Sequence, residues 1–171
     1  MRVVKAGGWL AMAAASALAL AACGSGGSNS AASGNPPPAT APTPTLTDAQ
    51  KTTLLAQLGP AYQNADLSNG EARFAVCRSC HTTSQGGDDM TGPNLWGIFG
   101  RRAGSHASFT YSDALKGAGW TWDAARIDQW ITDPRAVLPG TKMTFIGMPS
   151  ATDRRDLIAF LKLQTSPPPA G

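Results

Sequence analysis

The stretch from His81 to Thr121 constrains this chain more than any other, because turn signals break it throughout. Gly86-Gly87, Gly92-Pro93-Asn94, Gly100 and Gly104 punctuate it, and no sustained strand-like alternation runs between them. It reads as loop. Helical patterns lie on either side. Thr47 caps a short helix carrying Leu54, Leu55 and Leu58, stopped by Gly59-Pro60. Ser68-Asn69-Gly70-Glu71 has the form of a capping box and opens a helix through Phe74 into Cys77. In "DAARIDQWITDP", Ile127, Trp130 and Ile131 share one face, and Pro134 enforces the exit. Ser150 and Asp153 cap a last helix with Leu157, Ile158 and Leu161 on one side, closed by Pro167. The expected class is all-α, a few short helices joined by long loops. Loops this long in a domain of about a hundred residues are unusual unless something else supplies the core. A large apolar cofactor would do so.

The N-terminal part cannot supply that core. Residues 1–22 carry Arg2 and Lys5, then an Ala/Leu/Met-rich run, then small residues, the layout of a secretory signal. The run from Ala6 to Ala22 is short of the ~20 apolar residues of a bilayer span and is largely alanine. Leu20-Ala21-Ala22-Cys23 resembles the lipobox of bacterial lipoproteins, which implies a lipid on Cys23. Residues 23–46 then form a Gly/Ser/Asn and Ala/Pro/Thr segment without charge or aromatic side chains. It cannot bury enough apolar surface to offset ordering entropy and reads as a disordered tether. Residues 47–64 are a short helical extension expected to pack on the main domain, 65–166 the domain itself, and 167–171 a Pro-rich tail. The net charge of +3 falls to +1 once Arg2 and Lys5 leave with the signal. No clustered basic face suggests nucleic acid as a partner.

Cys77-Arg78-Ser79-Cys80-His81 names the cofactor. Two cysteines three apart on a helical turn are placed to form thioether bonds with the vinyl groups of a haem, and the next histidine faces the iron. Zinc needs four ligands. With Cys23 on a lipid, only Cys77, Cys80, His81 and His106 remain, and adjacent Cys80 and His81 are poorly placed to share one tetrahedral ion. A thioredoxin-like dithiol wants a preceding strand and a βαβ context, which the chain lacks.

From Asp66 to the final helix the chain resembles the class I cytochromes c. The residues that carry the likeness are the helix with Gly70 and Phe74, "CRSCHTT", Gly86-Gly87, "TGPNLWGIFGRRAG", "FTYSDALK", "WTW", "PGTKMTF" and "RRDLIAFL". The resemblance implies one covalent haem c attached at Cys77 and Cys80, with iron held by His81 and by Met143 of the Pro-Gly-Thr-Lys-Met segment, where Thr141 also borders the haem. Met148, Met90 and His106 are the alternative sixth ligands. Met148 reads otherwise as packing, Met90 as part of a polar turn and His106 as a solvated loop histidine. The resemblance further implies that His81 donates its second ring N–H to the carbonyl of Pro93. Arg101, Tyr111 and Trp122 would donate to the propionates. Trp130 stands where the family usually has a tyrosine beside the methionine, and Leu115 where it often has asparagine. Gly70 and Phe74 should meet Leu157 and Phe160 where the first and last helices of the domain cross.

With both axial positions filled, iron offers no open site for a substrate. The expectation is therefore a one-electron carrier and not an enzyme. It would be a monomer with no small-molecule substrate, lipid-tethered in a bacterial periplasm, passing electrons from a cytochrome bc complex to a terminal oxidase. A donor dedicated to a periplasmic reductase or peroxidase, or a haem sensor with labile methionine, is the alternative. Lys51, Lys116, Lys142 and Lys162 remain for docking, with Arg78, Arg102 and Arg135 beside them.

Overall fold

The computed structural model describes residues 45–169. The expected signal, Cys23 and the tether as far as residue 44 lie outside the described residues. Helix α1, Asp48–Ala56, opens on Thr47 with a reciprocal capping box: the Thr47 hydroxyl accepts from the Gln50 N–H at 3.2 Å, and the Gln50 side chain accepts from the Thr47 N–H at 2.9 Å. A 3-10 turn at Pro60–Tyr62 leads to α2, Leu67–Phe74. Here the cap differs from the expectation. Asp66, not Ser68, is the N-cap, its carboxylate accepting from the Ser68 and Asn69 N–H groups at 3.0 Å each. An ionised carboxylate is the stronger acceptor, and the Ser68 hydroxyl itself donates to it at 2.7 Å. Helix α2 also stops at Phe74, and the chain reaches Cys77 through turns.

Helix α3, Asp113–Lys116, is a single turn capped by Ser112. Helix α4, Ala124–Thr132, starts at Asp123 and ends at Asp133, whose carboxylate then caps α5, Pro134–Val137. Pro134 thus ends one helix and begins the next, the first helical position being where its missing N–H costs nothing. Helix α6, Ala151–Thr165, begins at Ser150, whose hydroxyl accepts from the Asp153 N–H at 3.2 Å. No strand occurs among the described residues, only an isolated bridge between Arg102 and Thr121. This is the expected all-α arrangement of short helices joined by long loops.

Helix α6 buries two faces. Leu157, Ile158 and Leu161 join Phe74, Trp122, Ile127, Trp130 and Ile131 in the main cluster, while Ala159 and Leu163 meet Leu54 and Leu55 of α1 in a second. At the crossing of α2 and α6, Gly70 lies so close that a β-carbon would collide with the Asp156 carbonyl. Phe74 and Phe160 pack with ring centroids 5.6 Å apart.

Beside that crossing sits Asp156, a carboxylate only 1% exposed. It accepts from the Asn69 side chain at 2.9 Å, the Asp66 N–H at 3.1 Å and the Arg155 guanidinium at 2.6 Å. Burial opposes its ionisation, but the bonds from Asn69, Arg155 and the Asp66 N–H outweigh it and hold the carboxyl below its ordinary value. A depressed carboxyl stabilises the fold fully above its unfolded value of ~3.9 and loses that contribution as pH falls through the lower native value. Thermal melting between about pH 5 and 2 should therefore show a steeper acid decline for the unchanged chain than for Asp156→Asn, which is less stable at neutral pH.

Candidate functional site

A cleft of about 300 Å³ opens among the loops. One part of its wall is the turn after α2, carrying Cys77, Cys80 and His81. The 141–145 segment adds Thr141, Met143 and Phe145, and α4 and α6 supply Ile127, Trp130, Leu157 and Leu161. Pro93, Tyr111 and Trp122 also line it, so nine of the ten haem-site residues expected from sequence meet here: Cys77, Cys80, His81, Pro93, Tyr111, Trp122, Trp130, Thr141 and Met143.

The tenth, Arg101, is not among the lining residues. Its guanidinium donates to the carbonyls of Asn94 at 3.0 Å and Trp96 at 3.3 Å, and Nη1 faces His106 Nδ1 at 3.3 Å. In this geometry it ties the loop together behind the wall.

Local turns position the histidine. The His81 N–H bonds to the Cys77 carbonyl at 3.0 Å, and its ring Nδ1 lies 2.7 Å from the Pro93 carbonyl oxygen. A carbonyl only accepts, so Nδ1 carries the proton and Nε2 keeps its lone pair. Burial, with a smaller push from Arg101, lowers the imidazole's pKa against the opposing pull of the Pro93 bond. The ring is thereby held in the neutral form that binds metals. Gly92 lies directly against the ring, and a β-carbon there would overlap it. Spacing gave no sign of that contact; Gly92-Pro93 carries only a turn signal.

The cysteines behave differently from a redox pair. Burial, aided by Cys80, pushes the Cys77 thiol up to about 11. Exchange-active cysteines have lowered values, so Cys77 is not poised for dithiol exchange.

Met143 is the one methionine of the described residues that lines the cleft. Its N–H donates to the Thr141 hydroxyl at 3.2 Å, and its sulfur accepts from the Trp130 indole N–H at 3.1 Å. Met148 is buried in the main core and its N–H bonds to the Ile131 carbonyl, while Met90 is 48% exposed outside the cleft.

His106 is not the solvated histidine that its loop position suggests. Because the Arg101 guanidinium only donates, Nδ1 accepts from it, and Nε2–H donates to Asp89 at 3.1 Å. Ser108 donates to the other Asp89 oxygen at 2.6 Å, so two loops are clasped. Asn94, 3% exposed, extends the clasp: its amide donates to Thr82 at 2.7 Å and to the Ser84 carbonyl at 3.0 Å, and its N–H donates to Asp89 at 2.7 Å. Neither Asp89 nor Asn94 announces this role by its neighbours in sequence. Lys162 is also not a docking lysine. It is 8% exposed, with its ammonium 5.0 Å from the centre of the Phe99 ring.

Two thiols, an imidazole nitrogen and a thioether sulfur in a largely apolar cleft would hold a haem, the cysteines through thioether bonds and His81 and Met143 as donors to its iron. No protein-family model matches the chain. Individual proteins do. Cytochrome c2 of Rhodomicrobium vannielii is 43% identical over 104 residues, covering 61% of this chain and 83% of the relative. Cytochrome c of Chlamydomonas reinhardtii is 42% identical over 102 residues, covering 59% and 91%. Among solved structures, cytochrome cH from Methylobacterium extorquens aligns at a TM-score of 0.54 and 41% identity, covering 57% of this chain and 98% of that one.

Proposed function

We infer that this chain, which belongs to the class I cytochrome c family, is a one-electron carrier with a single covalent haem c, ligated through His81 and Met143. The observation that carries this is the meeting of His81 and Met143 in one apolar cleft. When bound there, the haem supplies an iron that changes oxidation state by one electron. The chain does the rest. Cys77 and Cys80 tie the group down, and the Pro93 carbonyl orients the imidazole. The apolar lining excludes water, which keeps reorganisation small when charge changes. Tyr111 and Trp122 are the donors for the propionates, with Arg101 supporting the loop behind them.

Docking relies more on Arg78, Arg102, Arg135 and apolar contact than on lysines. Lys51 and Lys116 pair with Asp48 and Asp113, Lys162 is buried, and Lys142 is the lysine at the cleft. Association with partners should therefore depend only mildly on salt.

The location we propose is a bacterial periplasm, with a lipid on Cys23 and the 23–46 segment as tether. No helix of the described residues is long and apolar enough to cross a membrane. The partners proposed are a quinol-oxidising cytochrome bc complex and a terminal oxidase, between which a tether replaces bulk diffusion by local search at high effective concentration. Deleting residues 28–43 should slow quinol-dependent oxygen consumption in membranes while leaving the haem spectrum unchanged. Unchanged turnover would remove the tether's role, and failure of the bc complex to reduce the protein would overturn the pathway.

A further inference from the structure

Asn69-Gly70 is the only Asn-Gly pair in the chain. In an unfolded peptide this is the least durable setting for an asparagine, because glycine has no side chain to keep its nitrogen away from the neighbouring carboxamide. The reaction balances with water alone. The Gly70 nitrogen gives its proton to water and attacks Asn69 Cγ, the Cγ–Nδ2 bond breaks, and ammonia leaves behind a succinimide ring. Water then opens the ring to aspartate or isoaspartate, and nothing is oxidised or reduced.

The fold blocks both reacting groups. Gly70 lies inside α2 with its N–H bonded to the Asp66 carbonyl at 2.9 Å, so the nucleophile is engaged. The carboxamide is pinned at both ends: Nδ2 donates to Asp153 at 3.1 Å and to Asp156 at 2.9 Å, and Oδ1 accepts from Arg73 at 3.2 Å. Attack requires the carboxamide to swing back over its own backbone, which breaks all three bonds, and two of them join α2 to α6. The product is as badly placed as the reactant is well placed. An aspartate would lose both donors and set a carboxylate against Asp153 and against Asp156, itself 1% exposed. Isoaspartate would in addition insert a backbone methylene into α2 and break its hydrogen-bond ladder.

We propose that Asn69 is a deamidation site gated by the crossing of α2 and α6: it reacts only while the two helices are apart, and the product opposes their return. Time spent unfolded, such as before the haem is attached, is thereby turned into permanent loss of that chain.

The test follows the full, haem-loaded protein in mildly alkaline buffer, folded and in unfolding guanidinium chloride, with peptide mass mapping of Asn69 over time. Because a folded chain spends on the order of 10⁻³ of its time or less unfolded, conversion should run at least about a hundredfold slower without denaturant. Asn69→Asp, the product made in advance, should melt on the order of 10 °C below the unchanged protein. It should also melt below Asn69→Ala, which drops the donors without adding a charge. An Asn69→Asp chain that fails to fold where Asn69→Ala folds is the same result at its extreme. Equal conversion in folded and unfolded protein would overturn the gate, as would no conversion in the unfolded protein. An Asn69→Asp protein as stable as Asn69→Ala would show that the product does not oppose closure.

Discussion

Met143→Ala should keep its haem, attached through Cys77 and Cys80, yet bind carbon monoxide rapidly in the reduced state at neutral pH, where the unchanged protein does not. The reason is geometric. Met143 is the methionine at the cleft, whereas Met148 is locked in the core by its backbone bond to Ile131 and Met90 lies outside. His106 cannot stand in, because Arg101 and Asp89 occupy its two ring nitrogens. Alanine therefore leaves the iron without a sixth ligand from the methionines and histidines of the described residues. Thioether is a soft donor that favours the reduced metal, so the potential should fall by on the order of 0.1–0.3 V, within the ~0.8 V that axial ligands command. The oxidised variant should lose the red-edge band of the iron–sulfur bond. Persistence of that band, with no binding of carbon monoxide, would move the ligand to another residue.

The second large effect concerns the crossing of α2 and α6. Gly70→Ala places a methyl group against the Asp156 carbonyl and within 2.7 Å of the Phe160 β-carbon. Neither obstacle is the end of a flexible side chain, so relief requires the helices to separate. Separation would pull Phe74 from Phe160 and Leu157, and would loosen the Asn69 and Asp66 bonds to Asp156. Destabilisation of about 3 kcal/mol or more is expected, a large share of a typical 5–15 kcal/mol. Gly117→Ala is the control. Gly117 has an ordinary φ of −83°, and a β-carbon there would lie 3.4 Å from its nearest neighbour, so the change should stay within about 0.5 kcal/mol. Denaturant melts of the two haem-loaded variants separate these outcomes, and a Gly70→Ala protein as stable as the control would show that the crossing can relax.

How far the chain could be read in advance varied with the range of the interaction. Ile127, Trp130 and Ile131 face the core together, as their spacing within one helix requires. The Thr47 and Ser150 caps likewise lie where a hydroxyl precedes an apolar run. Ser68 shows the limit of that approach. Its pattern was right for a cap, but Asp66 two residues earlier offers a charged acceptor and displaces it. His106 and Lys162 mark a different limit. A histidine in a Gly/Ser loop and a lysine on a helix look solvated until Asp89 and Phe99 are brought against them from elsewhere in the chain.

The helical class, the need for a large cofactor and the proposed point of its attachment were legible before folding, because periodicity, caps and Cys77-x-x-Cys80-His81 are local patterns. Tertiary structure alone decided what surrounds that point. Asp66 and Asp156 are ninety residues apart in the chain, yet bonded at 3.1 Å; Gly92 lies beneath the His81 ring, and the Trp130 indole meets the Met143 sulfur. Each contact joins segments that only the folded chain brings together. A pattern within one segment holds no information about which atom of another will come to face it.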